Sequence, residues 1–422
     1  MHITILTVGS RGDVQPFIAL ALGLRARGHE VQIATHSEFR AVAEEHQLGF
    51  VPIEGNPREW LDTERGLQWI ESGLNLVRFF RGLHEFVAPV VRDFPRCLAA
   101  CEGTDVLLYS TLAFSGPHIA EKLGIPSFPL MLQPTLPSGE FPSLLAWTKR
   151  RRPRWYNRLT FFLLEQGFHL ATRSAVNHWR RAWGLSRDSI LGNFHRQRQL
   201  RTPHFLGYSP SVLPKPADWG PHVHVTGYWF MPPDKQWQPA PELVAFLQQG
   251  PPPVYVGFGS VTLRNPAEFT RTIVSALEMA GQRGLLSRGW ANLGGSTLPK
   301  TVMPINALPH EWLFPQLSAV VHHGGAGTTA TGLRFGLPSI ALPSFADQFL
   351  WGERTVALGA SPTCLPFASV TVPALARAIL AAVRDQHYRN AAQKISALIQ
   401  AERGVENMVS AFERAMDRST VV

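Results

Sequence analysis

The chain has 422 residues, of which 45% are hydrophobic and 17% charged. That composition excludes a disordered protein and provides for two or more cored domains. Its 40 Lys and Arg against 31 Asp and Glu leave a net charge of +9, which suits anionic ligands or an acidic membrane surface. No stretch resembles a nucleic-acid module, so no nucleic-acid partner is expected.

The first residues run directly into HITILTV, without the basic region and apolar core of a signal peptide. No run of about 18 apolar residues occurs to span a membrane. Of the three cysteines, Cys97 and Cys101 lie four apart in a predicted helix and Cys364 stands alone. With no second pair to complete a metal site, they read as free thiols of a reducing cytosol. The expectation is a cytoplasmic protein.

His2–Val8 reads as a fully buried strand, followed by the loop GSRGD (Gly9–Asp13) and a helix opened by Pro16 and ended at Gly28. Val31–Thr35 is a strand, Glu38–Gln47 a helix and Phe50–Ile53 a third strand. This alternation implies a parallel, doubly wound sheet. Residues 54–100 break the rhythm with longer helical patterns around Leu74–Gly82 and His84–Cys101. Alternation resumes with the strand Asp105–Ser110, the helix Ala113–Leu123 and the strand Pro126–Leu132. A helical pattern covers Arg158–Trp183, and Phe205–Tyr208 and Val223–Thr226 read as the last strands of this half.

Trp229–Pro241 contains four prolines and reads as a linker. A second alternation follows: strand Val254–Phe258, helix Pro266–Ala280, strands Gly284–Ser287 and Val302–Ile305, a strand ending at Val321, and strand Ser339–Leu342. Helical patterns at Val372–Val383, His387–Ala401 and Val405–Met416 close the chain. The reading is α/β: residues 1–230 and 242–400 form two Rossmann-like domains joined by 231–241. Ligand is expected in the cleft between them, at the carboxyl ends of the strands. Residues 401–422 are expected to pack back on the first domain.

Within the second half, VVHHGGAGTTAT (Val320–Thr331) turns from a strand end through glycines into a helix. Such a turn aims several backbone N–H groups at one point, with the positive end of the helix dipole behind them. That arrangement suits a phosphate, although glycines packing an ordinary βα turn would look similar. Adjacent histidines at a strand end diverge, so His322 and His323 are not expected to share a metal. One would face the anion and the other pack in the sheet.

Four more features bear on chemistry. Asp13 ends the first loop, where it reads either as a helix cap worth about 1 kcal/mol or as a general base. GSRGD does not match the G-x-G-x-x-G dinucleotide fingerprint, which disfavours a nicotinamide enzyme. Asp347 and Gln348, in SFADQF, offer an acid and an amide to neighbouring sugar hydroxyls, or a simple helix cap. Ser260 ends a strand with a hydroxyl available to an oxyanion. Lys149–Arg154 with Trp155, Tyr156, Phe161 and Phe162 reads as a solvated face or as a membrane-surface patch, which would make the protein peripheral at the inner membrane face.

Taken together, GSRGDVQPFIALALGLRARGHEVQIATH and WLFPQLSAVVHHGGAGTTATGLRFGLPSIALPSFADQFLWGER resemble the nucleotide-sugar glycosyltransferases of the GT-B fold. The chain is most similar to the sterol 3β-glucosyltransferases and bacterial relatives that glycosylate lipids and antibiotics. The resemblance implies a UDP-sugar held mainly by the C-terminal half and an acceptor held mainly by the N-terminal half. It implies that His323 contacts the diphosphate, that Gly325, Ala326, Gly327 and Thr328 cradle it, and that Ser260 lies near it. Asp347 and Gln348 would hold sugar hydroxyls, with Ser10, Arg11, Gly12, Leu308 and His310 also on the donor side.

By the same resemblance Asp13 is the catalytic base; plant relatives use a histidine nearby, and this loop has none. Plant relatives also stack uracil on a tryptophan where this chain has Ala307, which leaves UDP against TDP open. An inverting hexosyltransferase follows, moving glucose to a sterol or similar hydrophobic alcohol. No carboxylate cluster suggests a metal and no cofactor is expected. The alternatives are transfer to a polyketide, macrolide or glycolipid, a nucleotide-sugar 2-epimerase, or a non-catalytic binder of sugar nucleotides.

Overall fold

The computed structural model describes residues 1–56, 59–60, 62–71, 76–148, 150–234, 237–259, 261–290, 292–295 and 298–420. These divide into two compact units. The first is Met1–Pro210 with Pro214–Met231 and Glu402–Val422, and the second is Ser211–Leu213 with Pro232–Ala401.

In the first unit, apolar and β-branched runs form β1 (His2–Leu6), β2 (Glu30–His36), β3 (Gly49–Ile53), β4 (Val106–Ser110), β5 (Ser127–Met131), β6 (His204–Leu206) and β7 (Val223–Val225). They pair in the order β3-β2-β1-β4-β5-β6-β7, every pair parallel. Parallel pairing needs crossovers, and the helices that supply them bury both sheet faces. Strand order reverses between β1 and β4, whose carboxyl ends meet where the amide of Val8 donates to Ser110 Oγ at 3.4 Å.

The second unit repeats the plan with β8 (Val254–Gly257), β9 (Gly284–Ser287), β10 (Val302–Ile305), β11 (Ala319–His322) and β12 (Ser339–Ala341), in the order β10-β9-β8-β11-β12. The reversal falls between β8 and β11. In open α/β sheets a ligand binds at such a point, beyond the carboxyl ends of the strands.

Several element boundaries differ from the sequence reading. The first helix is Arg11–Ala26, so it begins five residues before Pro16, which lies inside it. GSRGD is therefore half loop and half first helical turn: proline marks a fixed φ, not necessarily a first residue. The long helix is Arg154–Ala182, starting directly after Pro153. The helices Gly192–Gln199 and Pro241–Gln248 had no counterpart in the pattern. Gly192–Gln199 (GNFHRQRQ) is almost wholly polar, which hides its period.

The terminal helix Gly404–Thr420 belongs to the first unit. Its Met408, Val409 and Phe412 are buried in one cluster with Ile3, Ile5 and Phe17. Gly23 of the first helix lets it approach, since a Cβ there would overlap Val405. Arg27 pairs with Glu413 through two hydrogen bonds of 3.1 and 2.7 Å. Phe412 is fully buried and meets the edge of Phe128 at 5.9 Å. Phe412→Ala is expected to cost about 3–5 kcal/mol by urea unfolding, the sum of lost burial and an unfilled cavity. A cost below about 1 kcal/mol would mean that the helix is not part of this core.

Candidate active site

In the second unit, β11 delivers the two histidines to different places. Their rings stand 6.2 Å apart at 85°. His322 points into the sheet and is fully buried. Its Nδ1 accepts the amide of Gly324 at 3.1 Å, which fixes the start of the turn. Burial pushes its pKa down to about 3, with the neighbouring charges of His323 and His310 adding to the shift. A neutral ring accepting a backbone N–H is a structural part.

His323 is only half-buried, and its Nδ1 is a buried atom with no hydrogen-bond partner among the described residues. Burial pushes this imidazole down to about 4. At neutral pH it is an uncharged ring able to donate one N–H to an anion. One glycine makes room for it. A Cβ at Gly325 would overlap its Nε2, whereas a Cβ at Gly259, beyond the end of β8, would only touch its Cε1 at 3.5 Å.

Gly325 is the N-cap of the helix Ala326–Arg334. The first bond within that helix runs from Thr329 N to Gly325 O at 3.0 Å. The amides of Ala326, Gly327 and Thr328 therefore have no acceptor within the helix. A Cβ at Gly327 would meet nothing within 4 Å, so the turn is open on that side. Uncommitted amides, a helix N-terminus and an imidazole N–H together form an anion site.

Asp347 and Gln348 open the helix after β12. Gly324, at φ +86°, brings the His323 turn against them: a Cβ there would lie 2.7 Å from the carbonyl oxygen of Gln348. Gln348 Oε1 accepts from Ser344 N (2.9 Å), Ser344 Oγ (3.1 Å) and Phe345 N (3.2 Å). That triple bond set orients the amide, leaving its NH₂ to donate. Asp347 Oδ2 accepts from the Trp351 indole at 3.1 Å. Ala346, just before them, sits at φ +46° and ψ −123°, a strained conformation for any residue with a Cβ. Such strain costs about 1–3 kcal/mol and gathers at functional sites.

The remaining second-unit candidates fare differently. His310 stacks on Phe314 at 4.5 Å and meets Tyr255 edge-on, and Leu308 packs on the same cluster. Ser260 lies outside the described residues. Among the described residues no group of three or more His, Cys, Asp or Glu is placed to hold a metal. Cys97, Cys101 and Cys364 are buried, with no disulfide among them.

In the first unit, Asp13 is the third residue of its helix and Ser10 is the N-cap. Asp13 Oδ2 accepts from Ser10 N at 2.9 Å and from Ser10 Oγ at 3.0 Å. The expected cap is thus present, but Asp13 closes it from inside the helix. Burial nevertheless raises the Asp13 pKa, against the opposing pull of the Ser10 bonds. Gly9, at φ +136°, is required here, because a Cβ would lie 2.6 Å from Asp13 Oδ2. Arg11 and Gly12 are exposed, and Arg11 bonds Gln15.

His36, at the end of β2, was missed by the sequence reading. Its Nε2 accepts the amide of Gly9 at 3.2 Å, and burial keeps its pKa low, so it props the Asp13 loop as a neutral ring. Only pairing of β1 with β2 brings them together, and a lone histidine at a strand end carries no such signal.

If the anion site works as built, Gly325→Ala should tilt the His323 ring and weaken binding of a nucleoside diphosphate about tenfold or more, as should His323→Ala. Calorimetric titration with UDP checks both. Unaltered affinity in both variants would remove the ring from the site.

The chain matches known proteins along its whole length. Residues 3–138 match the model of the glycosyltransferase family 28 N-terminal domain, and residues 290–413 that of the erythromycin biosynthesis protein CIII-like C-terminal domain. A sterol 3-beta-glucosyltransferase of Arabidopsis thaliana is 35% identical over 426 residues, covering 98% of this chain and 68% of the relative. One of Emericella nidulans is 36% identical over 438 residues, covering 100% of this chain but 30% of the relative. The chain thus spans under a third of the fungal relatives' length.

The crystal structure of the glycotransferase of kitacinnamycin is similar at a TM-score of 0.72 and 21% identity, covering 98% of both chains. The spinosyn rhamnosyltransferase SpnG complexed with thymidine diphosphate is similar at 0.64 and 20%, covering 98% of this chain and 100% of that one. These similarities carry the fold. The chain belongs to the GT-B glycosyltransferases that join a family 28 N-terminal domain to an erythromycin CIII-like C-terminal domain.

Proposed function

We propose that this protein transfers a hexose, glucose from UDP-glucose, to the hydroxyl of a sterol or similar hydrophobic alcohol, with inversion at the anomeric carbon. The observation that carries the reading is the His323 turn, where an unprotonated imidazole and the uncommitted amides of Ala326–Thr328 share one strand end. The sterol 3-beta-glucosyltransferases among its relatives support the acceptor class.

In this reading Asp13 takes the proton of the acceptor hydroxyl as it attacks. A raised pKa makes Asp13 a stronger base than an ordinary carboxylate, and such assistance contributes about 10²–10⁴-fold. The diphosphate leaves with added negative charge. The turn amides, the helix N-terminus and the His323 N–H stabilise that charge, so no metal is needed. Asp347 and the Gln348 amide hold the hydroxyls of the hexose. Transfer from a TDP-sugar to a polyketide is the second reading, favoured by the likeness to SpnG complexed with thymidine diphosphate. Mass spectrometry after incubation with UDP-glucose, or a TDP-sugar, and a panel of sterols and macrolides separates the two.

Asp13→Asn should lower kcat at least a hundredfold and leave UDP affinity within a few-fold. The base must be ionised to work. The acid limb of wild-type kcat/KM should therefore lie above the ordinary carboxylate range, with the rate falling as pH drops through it. EDTA should not alter the wild-type rate. An active Asp13→Asn enzyme, or loss of activity in EDTA, would overturn this mechanism.

The acceptor class fits a peripheral contact with anionic lipid. Trp155 (67% exposed), Leu159, Phe162 and Leu163 lie exposed at helical spacing along one face of Arg154–Ala182, whereas Phe161, expected in this patch, is buried in the core. Arg150, Arg151 and Arg152 precede them, while Lys149 falls outside the described residues. No helix among the described residues is long and apolar enough to cross a membrane. Co-sedimentation with phosphatidylglycerol vesicles should be lost in a Trp155→Ser, Phe162→Ser variant; sedimentation equal to wild type would rule this face out.

A further inference from the structure

Beyond the carboxyl ends of β4 and β5 the first unit holds a partly open cavity of about 50 Å³. Its wall is aromatic: Phe114 meets Phe168 edge-on at 5.2 Å, and Phe168 meets Phe194 at 5.9 Å. The polar groups around it are mostly spoken for. Gln197 bonds the Tyr109 hydroxyl at 2.5 Å, and His118 Nδ1 bonds buried Arg180 at 3.0 Å. His169 differs. It is 6% exposed, lines the cavity from the long helix, and its Nε2 is buried without a hydrogen-bond partner among the described residues.

The other edge of the ring is fixed. His169 Nδ1 lies 3.7 Å from Asp188 Oδ2, and a Cβ at Gly192 would lie 2.6 Å from the same nitrogen. Asp188 is itself held, its amide donating to Asn177 Oδ1 at 2.8 Å and its Oδ1 accepting from Ser189 N at 2.9 Å. The carboxylate thus lies on the Nδ1 side of the ring, beyond hydrogen-bond distance. Burial and the charge of Arg173 keep the ring neutral against Asp188 and the backbone of Ser189 and Ile190. Nε2 is the buried, unpartnered nitrogen of a side chain that lines the cavity.

We propose that this cavity is a subsite for a short, hydroxyl-bearing end of the acceptor, with His169 Nε2 accepting from that hydroxyl. The proposal rests on the acceptor being a hydrophobic alcohol, as above, and adds that it carries a second hydroxyl. An engineered cavity of about 150 Å³ takes one benzene ring, so this one admits the hydroxyl-bearing edge of a ring and not a whole polycycle. It neighbours the Asp13 loop through Ser110, which bonds Val8 and precedes the cavity residue Thr111.

The test uses androstanediol, with hydroxyls on rings A and D, against the ring-A mono-ol. In the wild-type enzyme the diol should show a KM about tenfold lower, the worth of one buried hydrogen bond, at similar kcat. His169→Phe should abolish that ratio and His169→Gln, which keeps an acceptor oxygen, should retain part of it. Binding is read apart from turnover by the ¹⁵N shift of His169 Nε2, which the diol should move and the mono-ol should not. Equal KM values for the two alcohols, a ratio surviving His169→Phe, or an unmoved shift, as for a site holding only water, would overturn the subsite. A diol-specific shift without turnover of either alcohol would uphold the subsite and overturn the transfer reading instead.

Discussion

A missing methyl group at position 325 governs the second unit's site. With a Cβ there, the His323 ring could not lie across its own turn, and the N–H it offers would point elsewhere. The same economy of side chain recurs at Gly324, which admits the backbone of Gln348. The parallel sheet supplies the rest. Reversal of strand order between β8 and β11 leaves a gap beyond the strand ends, and the turn faces that gap with its amides uncommitted.

The Asp13 loop is built by the same device with a different charge. Gly9 lets the carboxylate fold back on Ser10, His36 holds Gly9 from the next strand, and Ser110 holds Val8 from the strand across the reversal. Burial raises the carboxyl pKa while the Ser10 bonds lower it. The role of base proposed for Asp13 needs this compromise: oriented by hydrogen bonds, but not so stabilised that it cannot accept a proton.

Much of this was legible in the sequence, because strands and glycine turns are written locally. VVHHGGAGTTAT announced a strand, a turn and a helix, and β1, β4, β8 and β11 fall where apolar runs place them. What escaped is non-local. The start of the first helix was displaced by Pro16, whose fixed φ fits a second turn as well as a first. His36 gains its meaning from strand pairing, and His169 from a loop about twenty residues on in the chain. The helix Gly192–Gln199 carries too few apolar residues to show a period.

The seat of the terminal helix bears on how the chain is made. Met408, Val409 and Phe412 complete a core begun by Ile3 and Ile5, with the whole second unit emerging from the ribosome in between. The N-terminal sheet must wait for the last residues before its hydrophobic surface is closed. At about 5–20 residues per second, that is a delay of tens of seconds in which a chaperone can act. A fragment ending at Met231 would lack those residues, so the first unit is contiguous in space but not as a gene segment.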